Sequence, residues 1–179
     1  LIINFKDLDL KKPENHVELY IPLDNRGKVQ RLAAFVGPEL KANAKAAVDT
    51  VIEIDEFDRY SKDKKAVKRL AAEHEFFIAQ ATIMTKVASA FGRVLGPRGK
   101  MPNPKAGCVV PPNANLTALA ERLRKTVKIS VKKDPIFMTS VGSEEEPETV
   151  AENIMAIYKN IVSHLPNEEQ QIKSVYLKT

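Results

Sequence analysis

The chain has 179 residues, enough for one large domain or two small ones. Its 44% hydrophobic and 28% charged residues are an ordinary folded composition, with no apolar run near the ~20 residues of a membrane span and no secretory h-region at its start. A single cysteine, Cys108, rules out an internal disulfide and a cysteine-based zinc site, and 28 Lys and Arg against 23 Asp and Glu is too mild an excess to name a polyanionic partner.

Leu1 to Phe5 and Val17 to Ile21 read as strands, and LDNRGK (Leu23 to Lys28) as a turn-rich junction. RLAAFVG (Arg31 to Gly37) is a short buried strand. Pro38 then suits a helix first turn, with Leu40, Ala44 and Val48 on one face. Val51 to Ile54 is a strand, and Phe57 to Glu73 a highly charged helix whose apolar side carries Val67, Leu70 and Ala71. FFIAQ (Phe76 to Gln80) is a third strand, followed by a helix over Thr82 to Phe91 with Ile83, Val87 and Ala90 aligned. This alternation implies right-handed crossovers and a parallel sheet covered on both faces.

Next comes GRVLGPRGKMPNPKAGCVVPP, Gly92 to Pro112. It holds four of the seven glycines, five of the eleven prolines, four basic side chains and no acid, so it is neither a packed helix nor a central strand. Leu116 to Lys125 forms another helix, capped by Asn113 or Asn115. Val127 to Lys133 and Pro135 to Gly142 flank a Lys-Asp turn, the pattern of a hairpin. Val150 to His164 is a helix with Val150, Ile154, Ile157, Ile161 and Leu165 in one stripe, and Glu144 to Glu148 suit its positive end. Ile172 to Leu177 is a last strand. The pieces from the two ends of the chain are expected to form an antiparallel sheet with a helix on one face.

The economical reading is one domain inserted into another. An outer domain takes 1–22 and 126–179, an inner domain takes 23–125, and the two crossings make a natural hinge. The chain opens on LIINF and closes on VYLKT, both strand-like, so further residues are expected on either side.

Charge distribution says more than the total. No acid occurs from Phe76 to Ala120, where Lys86, Arg93, Arg98, Lys100 and Lys105 fall, so one patch of surface should be positive. A P-loop is rejected: the position five before Gly99 is Val94, Met101 follows Lys100, and the stretch comes after a helix. The first strand of the inner domain ends Val36-Gly37-Pro38, without a dinucleotide fingerprint. His16, His74 and His164 are scattered away from Cys108. His74 reads as solvated, His164 as a helix-end dipole partner, and Cys108 as a small buried group. Nothing here calls for an enzyme, a metal or a cofactor.

Two readings of the Gly-Pro loop remain. In one, prolines 97, 102 and 104 stiffen it, Gly96 and Gly99 let backbone approach, and Arg98, Lys100 and Lys105 grip phosphates. In the other it is a tight structural loop with solvated charges.

The stretch GRVLGPRGKMPNPKAG resembles the signature of the large-ribosomal-subunit protein L-one family. KPENHVELYIPL, FFIAQATIM and the terminal SVYLKT resemble its archaeal form, so the likeness covers essentially the whole chain. The resemblance implies an α/β fold of two domains, an outer split α+β sandwich with an inserted Rossmann-like three-layer α/β domain. It implies a cytoplasmic, ribosome-bound, non-catalytic protein. Its partners would be large-subunit ribosomal RNA of the mobile side stalk, tRNA at the exit site and, as a translational repressor, its own mRNA, with no membrane and no cofactor. It also places RNA contacts on the outer domain. Ser174 matches a contacting serine, Thr179 lies just before a Thr-Met-Gly triplet, and Lys132, Lys133 and Asp134 occupy a contacting turn. The Phe-x-x-[Ser/Thr] and Thr-Met-Gly motifs of the family would lie before Leu1 and after Thr179. Arg98, Lys100 and Lys105 would add phosphate contacts from the inner domain. The alternative from another class is a Rossmann-like enzyme binding a nucleotide at its strand ends.

Overall fold

A computed structural model describes residues 1–12, 15–23, 30–132, 134–143 and 146–178. In chain order the strands are β1 (Ile2–Phe5), β2 (Val17–Pro22), β3 (Leu32–Val36), β4 (Thr50–Glu53), β5 (Phe76–Gln80), β6 (Val109–Val110), β7 (Thr126–Val131), β8 (Ile136–Met138) and β9 (Ile172–Tyr176). The helices are α1 (Lys41–Ala47), α2 (Phe57–Lys62), α3 (Lys64–Glu73), α4 (Met84–Leu95), α5 (Leu116–Lys125) and α6 (Pro147–Val162). Among the described residues no helix is long and apolar enough to cross a membrane. The chain divides into two compact units, Leu1–Val29 with Lys125–Thr179, and Gln30–Arg124.

The Gln30–Arg124 unit is built on a parallel sheet of order β4-β3-β5-β6. Every residue of β3 and β5 is buried, as expected of central strands covered on both faces. Phe35 of β3 anchors an aromatic cluster, with Phe91 at 4.5 Å, Phe77 stacked at 5.7 Å and Phe57 edge-on at 5.8 Å between centroids. The charged segment from Phe57 to Glu73 is two helices rather than the one that its periodicity predicts. Asp63 breaks it at φ −105°, ψ 85°, where its carboxylate accepts the Lys65 and Ala66 N–H groups and starts α3 as an N-cap. Asn115 does the same for α5, accepting from Thr117 N.

The other unit carries two antiparallel sheets, β8-β1-β9 and β2-β7. The predicted hairpin between β7 and β8 does not form. β7 pairs with β2, from Val17↔Val131 to Pro22↔Thr126, while β8 pairs with β1, so the turn after Val131 passes the chain from one sheet to the other. The reason is burial. Val127, Ile129 and Val131 reach the core only beside Val17 and Ile21, whereas Phe137 reaches it beside Ile3. Helix α6 covers this core with Ile157 and Ile161 fully buried, and Leu165 follows just past its end; Val150 and Ile154 are partly buried. Buried Asn153 donates its amide to Val141 O at 2.8 Å.

Candidate nucleic-acid interface

The alternation in β1 decides what the three-stranded sheet shows to solvent. Ile3 and Phe5 enter the core, so Ile2 and Asn4 take the opposite face. Directly opposed residues share a face, so Met138 and Tyr176 flank Ile2, while Ile136 and Ser174 flank Asn4. Asn4 Nδ2 donates to Ser174 Oγ at 2.9 Å. Met138 is 64% and Tyr176 57% exposed, and Lys173 and Lys178 are exposed on the same terminal segment. An aromatic ring, a thioether and an ordered amide–hydroxyl pair on one open sheet face can stack a base and hydrogen-bond a 2′-hydroxyl. Thr179 lies outside the described residues.

The outer face of the β2-β7 sheet carries the second group. Glu18 sits opposite Ser130, and Tyr20 opposite Lys128. The Glu18 carboxylate accepts from Lys132 Nζ on one oxygen. Its other oxygen accepts from Tyr20 OH at 2.9 Å and lies 3.2 Å from Lys128 Nζ. Burial alone would push the Glu18 carboxyl up, but hydrogen bonds from Lys132 and Tyr20 and the charge of Lys128 outweigh it and hold the pKa at about 2. One carboxylate thus fixes two ammonium groups, leaving one net positive charge. Asp134 is exposed nearby in sequence, and Lys133 lies outside the described residues.

In the other unit the Gly-Pro loop folds onto its own frame. Gly99 N donates to Gly96 O and Lys100 N to Leu95 O, both at 2.9 Å, with Gly99 at φ +66°. Cys108, 2% exposed, donates its N–H to Asn103 O, and its carbonyl accepts from Ala79 N at 2.8 Å. Gly107, at φ +73°, leaves room for the Arg122 guanidinium, which donates to Ala106 O at 3.2 Å. The three predicted cations have different surroundings. Lys105 is exposed. Arg98 is exposed, with its guanidinium donating to Lys68 O at 3.3 Å. Lys100, 22% exposed, donates to His74 O at 2.9 Å and lies 3.5 Å from Glu75.

His74 itself is buried, not solvated as its charged surroundings predict. One ring nitrogen meets Leu70 O at 2.9 Å and the other Thr50 Oγ1 at 2.8 Å, so both are satisfied without water.

The crevice between β3 and β5 at the carboxyl end of the parallel sheet is occupied by a side chain. Between β3 and β5, where the strand order reverses and a nucleotide would enter, buried Gln80 accepts the Gly37 N–H at 2.9 Å and donates to Glu39 at 3.2 Å. Lys41 is paired with Glu53 at 2.7 Å on the same edge. Among the described residues no cluster of three or more His, Cys, Asp or Glu could hold a metal. Sequence reasoning missed Asn4, Glu18, Tyr176 and Gln80. For Asn4 the signal was present, since the alternation in LIINF sets it opposite Ile3 and Phe5.

Comparison with known proteins bears on the use of these surfaces. A sequence model described as the ribosomal protein L1p/L10e family matches residues 1–179. The chain is 46% identical over 180 residues to large ribosomal subunit protein uL1 of Methanothermococcus thermolithotrophicus, covering 99% of this chain and 82% of that one. It is 42% identical over 182 residues to the protein of that name from Methanothermobacter thermautotrophicus, covering 100% and 84%. For the Nanoarchaeum equitans protein the identity is 43% over 183 residues, covering 99% and 84%.

Proposed function

The chain belongs to the ribosomal protein L1p/L10e family, and we propose that it acts in the large ribosomal subunit by gripping folded ribosomal RNA of the mobile side stalk. It is a structural ribosomal protein rather than an enzyme, as its relatives are named. The observation that carries the proposed grip is the open face of β8-β1-β9. There the Asn4–Ser174 pair is held between exposed Tyr176, Ile136 and Met138. Such a face reads RNA by shape, stacking and ribose contacts rather than by charge alone.

In this reading the domain formed by 1–22 and 126–179 supplies the specific contacts, with Ser174, Thr179 and the Lys132, Lys133, Asp134 turn. The domain 23–125 adds phosphate contacts through Arg98 and Lys105. Exit-site tRNA is a second RNA partner, and repression of translation follows if the protein's own mRNA presents a copy of the stalk site.

The test is binding of the full-length protein to an isolated stalk RNA fragment and to a scrambled RNA of equal length. The expected result is a preference for the fragment of at least ~10³, the low end of specific over non-specific nucleic-acid binding. Equal binding of the two at moderate salt overturns the reading. An mRNA leader that competes for the fragment supports repression, and one that does not compete removes it.

A further inference from the structure

Helix α3 carries four cations, Lys64, Lys65, Lys68 and Arg69, all exposed, while Val67, Leu70 and Ala71 face the core. Helical spacing sets Lys64 above Lys68 and Lys65 above Arg69, two like-charged i,i+4 pairs that oppose helix formation. Among the described residues none of the four is in an ion pair. The loop after α4 brings in a fifth cation: Arg98, thirty positions away, is moored on the carbonyl of Lys68 itself. Beside this ridge opens a groove of about 420 Å³, lined by Thr50, Tyr60, Asp63, Lys65, Arg69 and Glu73 among others. Its carboxylates, Asp63 and Glu73, stand before the first and in the last turn of α3. They bracket the four cations along the axis, Asp63 next to Lys64 and Glu73 one turn beyond Arg69.

We infer that the exposed face of α3 extends the phosphate contact of Arg98 into a continuous ridge that holds the RNA backbone without reading sequence. Positive charge in excess of Asp63 and Glu73 costs stability in the free protein and is relieved by a polyanion, and a convex helix carrying cations over about two turns spans two to three phosphates of one strand. Tyr60, half-buried with its ring 5.5 Å from that of Phe91, lines the same groove. The inference rests on RNA being the partner, but the surface lies in a different unit from Asn4 and Ser174 and is tested separately.

The experiment compares full-length variants K64Q/K65Q/K68Q/R69Q and K11Q/K12Q/K45Q/K159Q, which remove four exposed charges each. Binding to the stalk fragment and to a 20-nucleotide uridine homopolymer is followed against salt. For the α3 variant, log K against log salt should flatten by about 2 units, with at least a tenfold loss of affinity at low salt on both RNAs. Its preference for the stalk fragment over the homopolymer and its melting temperature should not fall. The scattered variant should lose less than half as much slope. Equal slopes for the two variants, or an unchanged slope for the α3 variant, overturn the inference. If the α3 variant fails to fold, K68Q/R69Q with about half the effect decides on the same terms. If the wild-type protein shows no preference for the stalk fragment, the proposed function fails, while the ridge still stands or falls on its slope.

Discussion

Asn4 and Ser174 lie 170 positions apart in sequence and meet at 2.9 Å across the β1–β9 ladder, amide donating to hydroxyl. Accepting that bond occupies one lone pair of Ser174 Oγ and leaves its proton and second lone pair for a partner. The amide therefore fixes how the hydroxyl is presented. Ser174→Ala should lower affinity for the stalk fragment about tenfold, a loss of ~1.4 kcal/mol, with no change in salt slope. Asn4→Ala should reproduce most of that loss, and the double variant should be little worse than either. Stability falls by only about 0.5–1.5 kcal/mol in each. An Asn4→Ala protein with wild-type RNA affinity would reduce the pair to a strand clip.

Glu18 is the acid-sensitive point of the β2-β7 sheet. Its folded pKa of about 2 lies below the ordinary 4.5, so the unfolded chain takes up the proton first as pH falls. The stabilisation is thus complete above pH 4.5 and is lost as pH drops toward 2. After solvent screening it amounts to about 1–2 kcal/mol. Denaturant melts of wild type and Glu18→Gln should differ by this amount at pH 6, by only about a quarter of it at pH 2.5, and converge below pH 2. A gap that stays constant with pH would mean that the ammonium groups do not stabilise the carboxylate.

Gln80 argues against nucleotide chemistry in the parallel-sheet unit. Its side chain takes the Gly37 N–H that a phosphate would otherwise use, and a Cβ on Gly37 would stand 3.0 Å from its oxygen. Gln80→Ala should cost about 1–3 kcal/mol by leaving a buried N–H without its acceptor. Wild-type protein should show no saturable rise in melting temperature with ATP or NAD. A saturable rise would reopen the enzyme reading.

Local pattern carried the parallel sheet well, because LAAFV and FFIAQ are apolar on both faces and admit only central strands. It misled where a partner is distant. Val127–Val131 has a strand candidate eight residues ahead, yet pairs with Val17–Pro22, more than a hundred positions back, since only that pairing buries its valines. The same blindness affects the polar residues. His74 is polar by type but buried, because Leu70 O and Thr50 supply both of its partners. Ser174 was legible as a candidate contact only through family resemblance. Its neighbour across the ladder, Asn4, was legible as exposed but not as its donor.

Lys100 separates the two readings of the Gly-Pro loop. Its ammonium donates to His74 O and faces Glu75, joining the loop after α4 to the end of α3, whereas Lys105 is exposed to solvent. A charged donor on a half-buried carbonyl stabilises by about 1.5–3 kcal/mol. Lys100→Met should therefore lower the melting temperature by several degrees and leave the salt slope of RNA binding nearly unchanged. Lys105→Gln should leave the melting temperature alone and flatten the slope by somewhat under one unit, the share of one phosphate. The reverse pattern, a stable Lys100→Met protein with a flattened slope, would mean that Lys100 leaves His74 on binding and spends its charge on RNA. Loop docking and RNA contact would then be competing states of one side chain.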